Sequence, residues 1–173
     1  EPVENPVKAE KLWNALLQAG EAAGVKPCGL GARDTTRLEA GLCLYGNELT
    51  EDITPLEARI DFVVKLEKGE FTGRAPLLRQ KSAGLQRVRV GLRMVGAGIP
   101  RHGYKLFYGD EKVGTVTSGT FSPLLRVGIA MGYVKPKVKV GDDVSVEIHG
   151  KKRMAEVVNW PFYDLTKYGH SRR

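Results

Sequence analysis

From residue 87 onward the chain alternates apolar and polar side chains in short runs broken by glycine-containing turns. This pattern commits the second half to a small antiparallel sheet that closes on itself or packs as a sandwich. Val88, Val90, Leu92 and Met94 alternate with Arg87, Arg89, Gly91 and Arg93, the period of a strand with one buried face. Residues 104–108, the pair Gly109-Asp110 and residues 112–117 read as a hairpin. Further strands are predicted over 127–134, 144–149 and 153–159, with turns at Gly141-Asp142-Asp143 and Gly150-Lys151-Lys152.

The first half has a different grammar. Asn5-Pro6 is a plausible helix start, and Leu12, Leu16, Ala19 and Ala23 recur at helical spacing, with Trp13 and Leu17 widening the stripe and Gly24 ending it. This predicts an amphipathic helix packed by its Leu/Trp face. Asp34 can cap a second, shorter helix bearing Leu38 and Leu42 on one side and Arg37 on the other. Residues 51–57 are turn-like around Pro55, the β-branched stretch 60–66 predicts a strand, and 75–81 a short helix. The fold class is therefore α+β, with residues 1–82 forming one part and 83–173 a β-barrel domain.

The 173 residues carry a net charge of +7, unevenly placed. Residues 1–80 hold 10 Lys/Arg against 13 Asp/Glu, and residues 81–173 hold 17 against 7. Either the second half meets something anionic or its basic surface serves solubility. Cys28 and Cys43 have no zinc or disulfide-framework spacing and read as buried, reduced thiols. No apolar run reaches the roughly 20 residues of a membrane span. The acidic, proline-containing start is unlike a signal peptide, so a cytoplasmic location is expected.

Several chemistries find no support. His102, His149 and His170 are far apart and none stands at metal-ligand spacing, so no metal site is expected. There is no Gly-x-Ser-x-Gly elbow and no Cys-x-x-Cys, and Gly29-Leu30-Gly31 lacks the third glycine of a dinucleotide fingerprint. Arg87, Arg89 and Arg93 on one strand face would suit a phosphate path, so an RNA-binding barrel is one alternative. The remaining signal is Arg33, between a glycine-rich loop and a helix start, where backbone N–H groups favour an anion. A bound carboxylate and an internal salt bridge to Asp34 or Glu39 are both open readings.

The run Pro27-Cys28-Gly29-Leu30-Gly31-Ala32-Arg33-Asp34-Thr35, with Arg37-Leu38-Glu39-Ala40-Gly41, resembles the aminomethyltransferases (T-proteins) of the glycine cleavage system. So do Leu44-Tyr45-Gly46-Asn47, Thr54-Pro55-Leu56, Phe71-Thr72-Gly73-Arg74 and Val116-Thr117-Ser118-Gly119-Thr120-Phe121-Ser122-Pro123, and the ending Pro161-Phe162-Tyr163 with Lys167-Tyr168-Gly169. Members of that family are about twice this length, so the chain resembles their C-terminal half: the last part of a folate-binding α+β domain, then a barrel.

The resemblance implies transfer of an aminomethyl carbon from the lipoyl arm of an H-protein to tetrahydrofolate, the acceptor substrate, with release of ammonia and formation of 5,10-methylenetetrahydrofolate. It implies that Arg33 grips the folate tail, that Tyr168 lies near the tyrosine that also binds there, and that Phe62 is either a packing surface for the ligand or a core aromatic. The family's catalytic aspartate belongs to the half not represented, so no catalytic residue is expected in this chain. The chain alone is expected to be inactive, its partners being an acidic H-protein and a separate N-terminal half. The alternative is a non-catalytic folate- or partner-binding module.

Overall fold

The computed structural model describes residues 6–168, and the expected Asn5 cap, Gly169 and His170 lie outside them. The described chain forms two compact units, the first reaching Asp34 and the second starting at Thr35.

In the first unit, α1 spans Pro6–Gly20 and runs into a 3-10 turn, Glu21–Ala23. Gly24, at φ +72°, closes that turn by donating its N–H to the Glu21 carbonyl at 3.0 Å, a left-handed cap that glycine adopts without steric cost. The expected apolar face is present but not buried. Leu12 and Trp13 are 50% exposed and Leu16 59%. The helix forms as its periodicity predicts.

Helix α2, Leu30–Glu39, begins five residues earlier than the Asp34 cap would have it, and Gly31 and Asp34 are interior to it. Glycine in a helix costs about 1 kcal/mol relative to alanine. Burial of Arg37, Leu38 and Glu39 on the last turns outweighs that.

The second unit is built on six strands: β1 Val88–Met94, β2 Lys105–Tyr108, β3 Glu111–Ser122, β4 Val127–Val134, β5 Asp143–Ile148 and β6 Lys151–Val158. All pairings are antiparallel and the order β1-β4-β3-β2-β5-β6 closes into a barrel. Closure leaves no unpaired edge. Val90, Leu92, Leu106, Val116, Val146 and Val157 are among the side chains filling it, each no more than 3% exposed.

The pairing of β3 with β4 slips between Val116 and Ser118, so Thr117 has no opposite residue. An extra residue of this kind bends a strand and re-aims its polar groups.

Two strand expectations are corrected. Residues 60–66 contain a 3-10 turn, Asp61–Val63, and no strand. β-branched content favours a strand only where a neighbour offers a ladder, and the closed barrel has no free edge to pair with. Strand β1 is covered on both faces: Arg89 is 1% exposed, and a Cβ at Gly91 would meet the Val158 carbonyl at 2.8 Å and the Phe162 ring at 3.0 Å.

The remaining helices are α3, Arg74–Ala83, and the single turn α4, Leu165–Tyr168. A Thr54–Glu57 turn anchors α3. Glu57 Oε2 accepts from the Thr54 N–H at 2.9 Å, the Glu57 N–H donates back to Thr54 Oγ1 at 3.3 Å, and Thr54 Oγ1 donates to Gln80 Oε1 at 2.7 Å. This is the reciprocal pattern of a capping box.

Candidate functional site

In the first unit Arg33 is the fourth residue of α2 and is exposed. It therefore lies within the first turn of the helix, not in a loop ahead of it. The N–H groups of Ala32 and Arg33 point back to the Gly29 carbonyl at 3.1 and 3.4 Å. The guanidinium thus stands near the positive end of the α2 dipole, where a carboxylate ligand is favoured. Glu39, one of the two internal partners considered for it, is 7% exposed and accepts a short hydrogen bond from the Ser122 hydroxyl.

In the second unit the motif residues converge on a buried polar cluster. Arg37 donates from Nη1 to Glu48 Oε2 at 2.8 Å and from Nη2 to Ser118 Oγ at 2.8 Å. Glu48, fully buried, also accepts from the Leu44 N–H at 3.0 Å and from Thr117 Oγ1 at 2.5 Å. Asn47 Nδ2 reaches the Thr117 carbonyl and Ser118 Oγ, both at 3.0 Å, and Tyr133 OH donates to the Glu48 carbonyl at 2.8 Å. The bulged Thr117 thus presents hydroxyl and carbonyl to the 41–50 loop together. His102 Nδ1 lies 2.8 Å from the same carbonyl, so that nitrogen carries the proton. The cluster is satisfied throughout, as a buried ionic network must be to persist.

Next to it, Arg89 donates to the Ala58 carbonyl at 2.7 Å and the Gly41 carbonyl at 2.8 Å, with its guanidinium 4.1 Å from the centre of the Trp160 ring. Arg59 approaches the same ring at 4.7 Å. Burial lowers the Arg89 pKa from its usual value, a shift opposed by nearby Cys43 and Tyr133. Burial likewise raises the Cys43 thiol, with Arg89 opposing. Gly41, at φ +73°, lies against Trp160 where any Cβ would collide with the indole. Cys43 is partly buried as expected, whereas Cys28 is exposed.

These contacts correct the arginine face expected on β1. Arg89 is buried, Arg87 pairs with Glu57 at 3.0 Å, and Arg93 pairs with Glu156 at 2.6 Å. They do not form a phosphate path. Much of the basic barrel surface is internally neutralised too: Lys105 pairs with Glu147 at 3.0 Å, Lys152 with Asp110 at 2.9 Å, and Lys135 and Lys137 both with Glu111.

Phe62 lies in the Asp61–Val63 turn and is 72% exposed in this chain. Tyr168 ends α4, 38% exposed, with its ring edge-on to Tyr163 at 6.5 Å. Asp164 caps this turn, held below the usual carboxylate range by hydrogen bonds from the Thr166 hydroxyl and N–H. Among the described residues no ring contact joins Phe62 to Tyr168.

A cleft of about 730 Å³ is lined by Leu56, Arg59, Leu66, Val90, Val138 and neighbouring residues, and none of Arg33, Phe62 or Tyr168 contributes to it. Among the described residues there is no cluster of three metal-ligating side chains, and no helix is long and apolar enough to cross a membrane. Glu48 carries no motif signal of its own, and Arg89 reads from the sequence only as part of a phosphate path. The motif positions of Arg37 and Asn47 were legible, but their partners on β3 lie 70 or more residues away in the chain.

Comparison with known proteins gives this architecture a context. Residues 3–68 match the GCVT N-terminal domain and residues 87–164 the glycine cleavage T-protein C-terminal barrel domain. A probable aminomethyltransferase of Thermococcus kodakarensis is 49% identical over 96% of this chain and 44% of its own length. An aminomethyltransferase of Bacteroides thetaiotaomicron is 50% identical over 91% of this chain, again 44% of its own length. The crystal structure of glycine cleavage system aminomethyltransferase T from Bartonella henselae superposes with a TM-score of 0.82 at 41% identity, covering 90% of this chain and 44% of that one. The chain spans less than half the length of the relatives it matches, and it belongs to the glycine cleavage T-protein family, corresponding to the C-terminal half of its members.

Proposed function

We propose that this chain supplies the C-terminal half of a tetrahydrofolate-dependent aminomethyltransferase. Residues 1–82 contribute to the folate-binding domain and 83–173 form the barrel domain. The observation that carries the reading is the succession of both family domains, in order, along one chain that is 49% identical to a probable aminomethyltransferase.

In this reading Arg33 holds the carboxylates of the folate tail. An exposed guanidinium in the first turn of a ten-residue helix supports that role, since its charge and the helix dipole act in the same direction. Tyr168 adds a second contact to the tail, and the exposed ring of Phe62 offers the ligand an apolar surface. The folate nitrogens attack the aminomethyl carbon carried on the lipoyl sulfur of an H-protein. Carbon–nitrogen bonds to folate replace the carbon's bonds to ammonia and sulfur, and 5,10-methylenetetrahydrofolate leaves. The carboxylate that handles protons in that step comes from the N-terminal half.

The H-protein partner is favoured by the excess of 17 Lys/Arg over 7 Asp/Glu in residues 81–173, which would attract an acidic protein. Its association rate should therefore fall as salt rises.

The test mixes this chain with the part of the Thermococcus kodakarensis relative that it does not match. Methylenetetrahydrofolate formation is then followed from aminomethyl-loaded H-protein. Activity in the mixture, absent from either piece alone, is the expected result. A folded mixture that binds tetrahydrofolate but turns nothing over would leave a binding module.

A further inference from the structure

The cleft of about 730 Å³ opens at the end of the barrel where β1 begins and β4 finishes. Its floor is the barrel core itself: Val90 and Val138, 3% and 2% exposed, belong to that core and also line the cleft. Buried Leu66 and partly buried Val88 add to the same lining, which contains no aromatic ring. Every lining residue lies in the second unit. Apolar clefts of this size, and barrel mouths in particular, are common places for small-molecule sites.

Two of the lining segments are fixed to the barrel by hydrogen bonds. The stretch leading to Arg59 is held by the Arg89 N–H, which donates to the Glu57 carbonyl at 2.9 Å, and by Arg89 Nε, which donates to the Ala58 carbonyl. The 135–141 loop is tied at both ends. The Lys135 N–H donates to the Val113 carbonyl at 2.9 Å and the Gly141 N–H to the Val157 carbonyl at 2.8 Å. Between them the Lys139 N–H donates to Asp142 Oδ2 at 2.9 Å. Walls tied in this way are preformed, so a ligand entails little ordering of the protein.

The charges of the lining are unevenly distributed. Arg59, Lys81 and Lys139 come from three separate segments: the 56–67 stretch, α3 and the 135–141 loop. Both carboxylates, Asp61 and Glu67, belong to the first of these. Among the described residues none of the five is in an ion pair. An anion in the mouth therefore meets cations from three segments. Arg59 is the most ordered of them, because its guanidinium lies 4.7 Å from the centre of the Trp160 ring. Stacking holds the guanidinium plane and leaves its N–H edge to fork onto an oxyanion.

We infer that this cleft binds an aliphatic carboxylate, with its chain on the valine and leucine floor and its carboxylate on the Arg59 guanidinium. The inference is independent of the folate role proposed above, since Arg33, Phe62 and Tyr168 lie outside the lining.

The probes are hexanoate, octanoate and decanoate, each below its micellar concentration, titrated into the whole chain by calorimetry. The expected result is one saturable site per chain, with affinity rising about fourfold for each added methylene. Decyltrimethylammonium, which carries the same chain and the opposite charge, should bind roughly tenfold more weakly than decanoate. Arg59→Gln should weaken decanoate roughly tenfold, and Val140→Glu, a charge at a 47% exposed lining position, should weaken it similarly. Met154→Glu, on β6 and outside the lining, should leave it unchanged. Circular dichroism matching the parent chain shows that the variants fold. Trp13→Phe makes Trp160 the sole tryptophan, and its emission should shift as decanoate saturates.

No saturable binding, or an affinity indifferent to chain length or to the sign of the head group, would overturn the inference. So would Arg59→Gln and Val140→Glu variants that bind like the parent, or a Trp160 emission that decanoate leaves unmoved. Displacement of decanoate by tetrahydrofolate would assign the cleft to folate and overturn it as well.

Discussion

Arg37 and Glu48 face each other 2.8 Å apart in a buried setting, one from the last turns of α2 and the other from the loop that follows, and both reach the barrel at consecutive residues of β3. Arg37 takes Ser118 and Glu48 takes Thr117, so the pair fastens the loop to the bulge. Removing the cation strands a carboxylate that water cannot reach. Arg37→Met should therefore destabilise the chain by about 3–5 kcal/mol, read by urea denaturation. Glu48→Gln keeps an acceptor for the Leu44 N–H and should cost less, about 1–3 kcal/mol. If both substitutions cost under 1 kcal/mol, the cluster is not what holds the loop.

Arg89 is a case in which charge alone does not suffice. Its planar fork serves the Ala58 and Gly41 carbonyls while its face stacks on Trp160. Lysine preserves the charge but neither the fork nor the stacking. Arg89→Lys should lose at least about 2 kcal/mol of unfolding free energy, as expected for a buried charge deprived of its partners. A lysine variant as stable as the parent would show that charge alone is what the site requires.

The two cysteines should differ in reactivity. Cys28 is exposed, whereas Cys43 is half-buried and burial raises its thiol pKa above the usual value near 9. With a disulfide reagent at pH 8, one thiol should react promptly and the other only slowly until denaturant is added. Two equally fast thiols would contradict the packing of the 41–50 loop.

Glu111 lies between Lys135 and Lys137, and their hydrogen bonds bring its pKa from 4.5 to about 2. A depressed carboxylate contributes its stabilisation above its unfolded pKa and loses it as pH falls through the folded one, so the window here runs from about 4.5 down to about 2. Because the group is fully exposed, molar salt should return its titration midpoint toward 4.5, which carbon-13 NMR of the carboxyl can follow. A midpoint insensitive to salt would rule out the lysine clamp.

Much of the barrel was legible because period-two alternation is a local signal. The prediction over 127–134 coincides with β4, and β1 follows its four alternating apolar residues. Errors arose where the deciding partner lies far along the chain. Arg89 reads as an outward residue of a half-buried strand until Ala58, Gly41 and Trp160 cover it. Asp34 has the chemistry of a cap, but the helix starts earlier, at Leu30. Residues 60–66 have strand composition, and a closed barrel leaves them nothing to pair with. Arg33 stands out by its motif, while the Glu48 cluster could not be read from the sequence, since its members are brought together by a bulge that no residue type announces.

In the proposed function Arg33 grips the folate tail. The most direct measurement is the tetrahydrofolate KM and kcat of the complemented enzyme carrying Arg33→Ala or Arg33→Lys. Loss of a charge-assisted hydrogen bond of about 1.5–3 kcal/mol predicts a KM raised roughly tenfold or more for alanine, with kcat close to the parent and partial recovery by lysine. A KM unchanged by both substitutions would contradict the account.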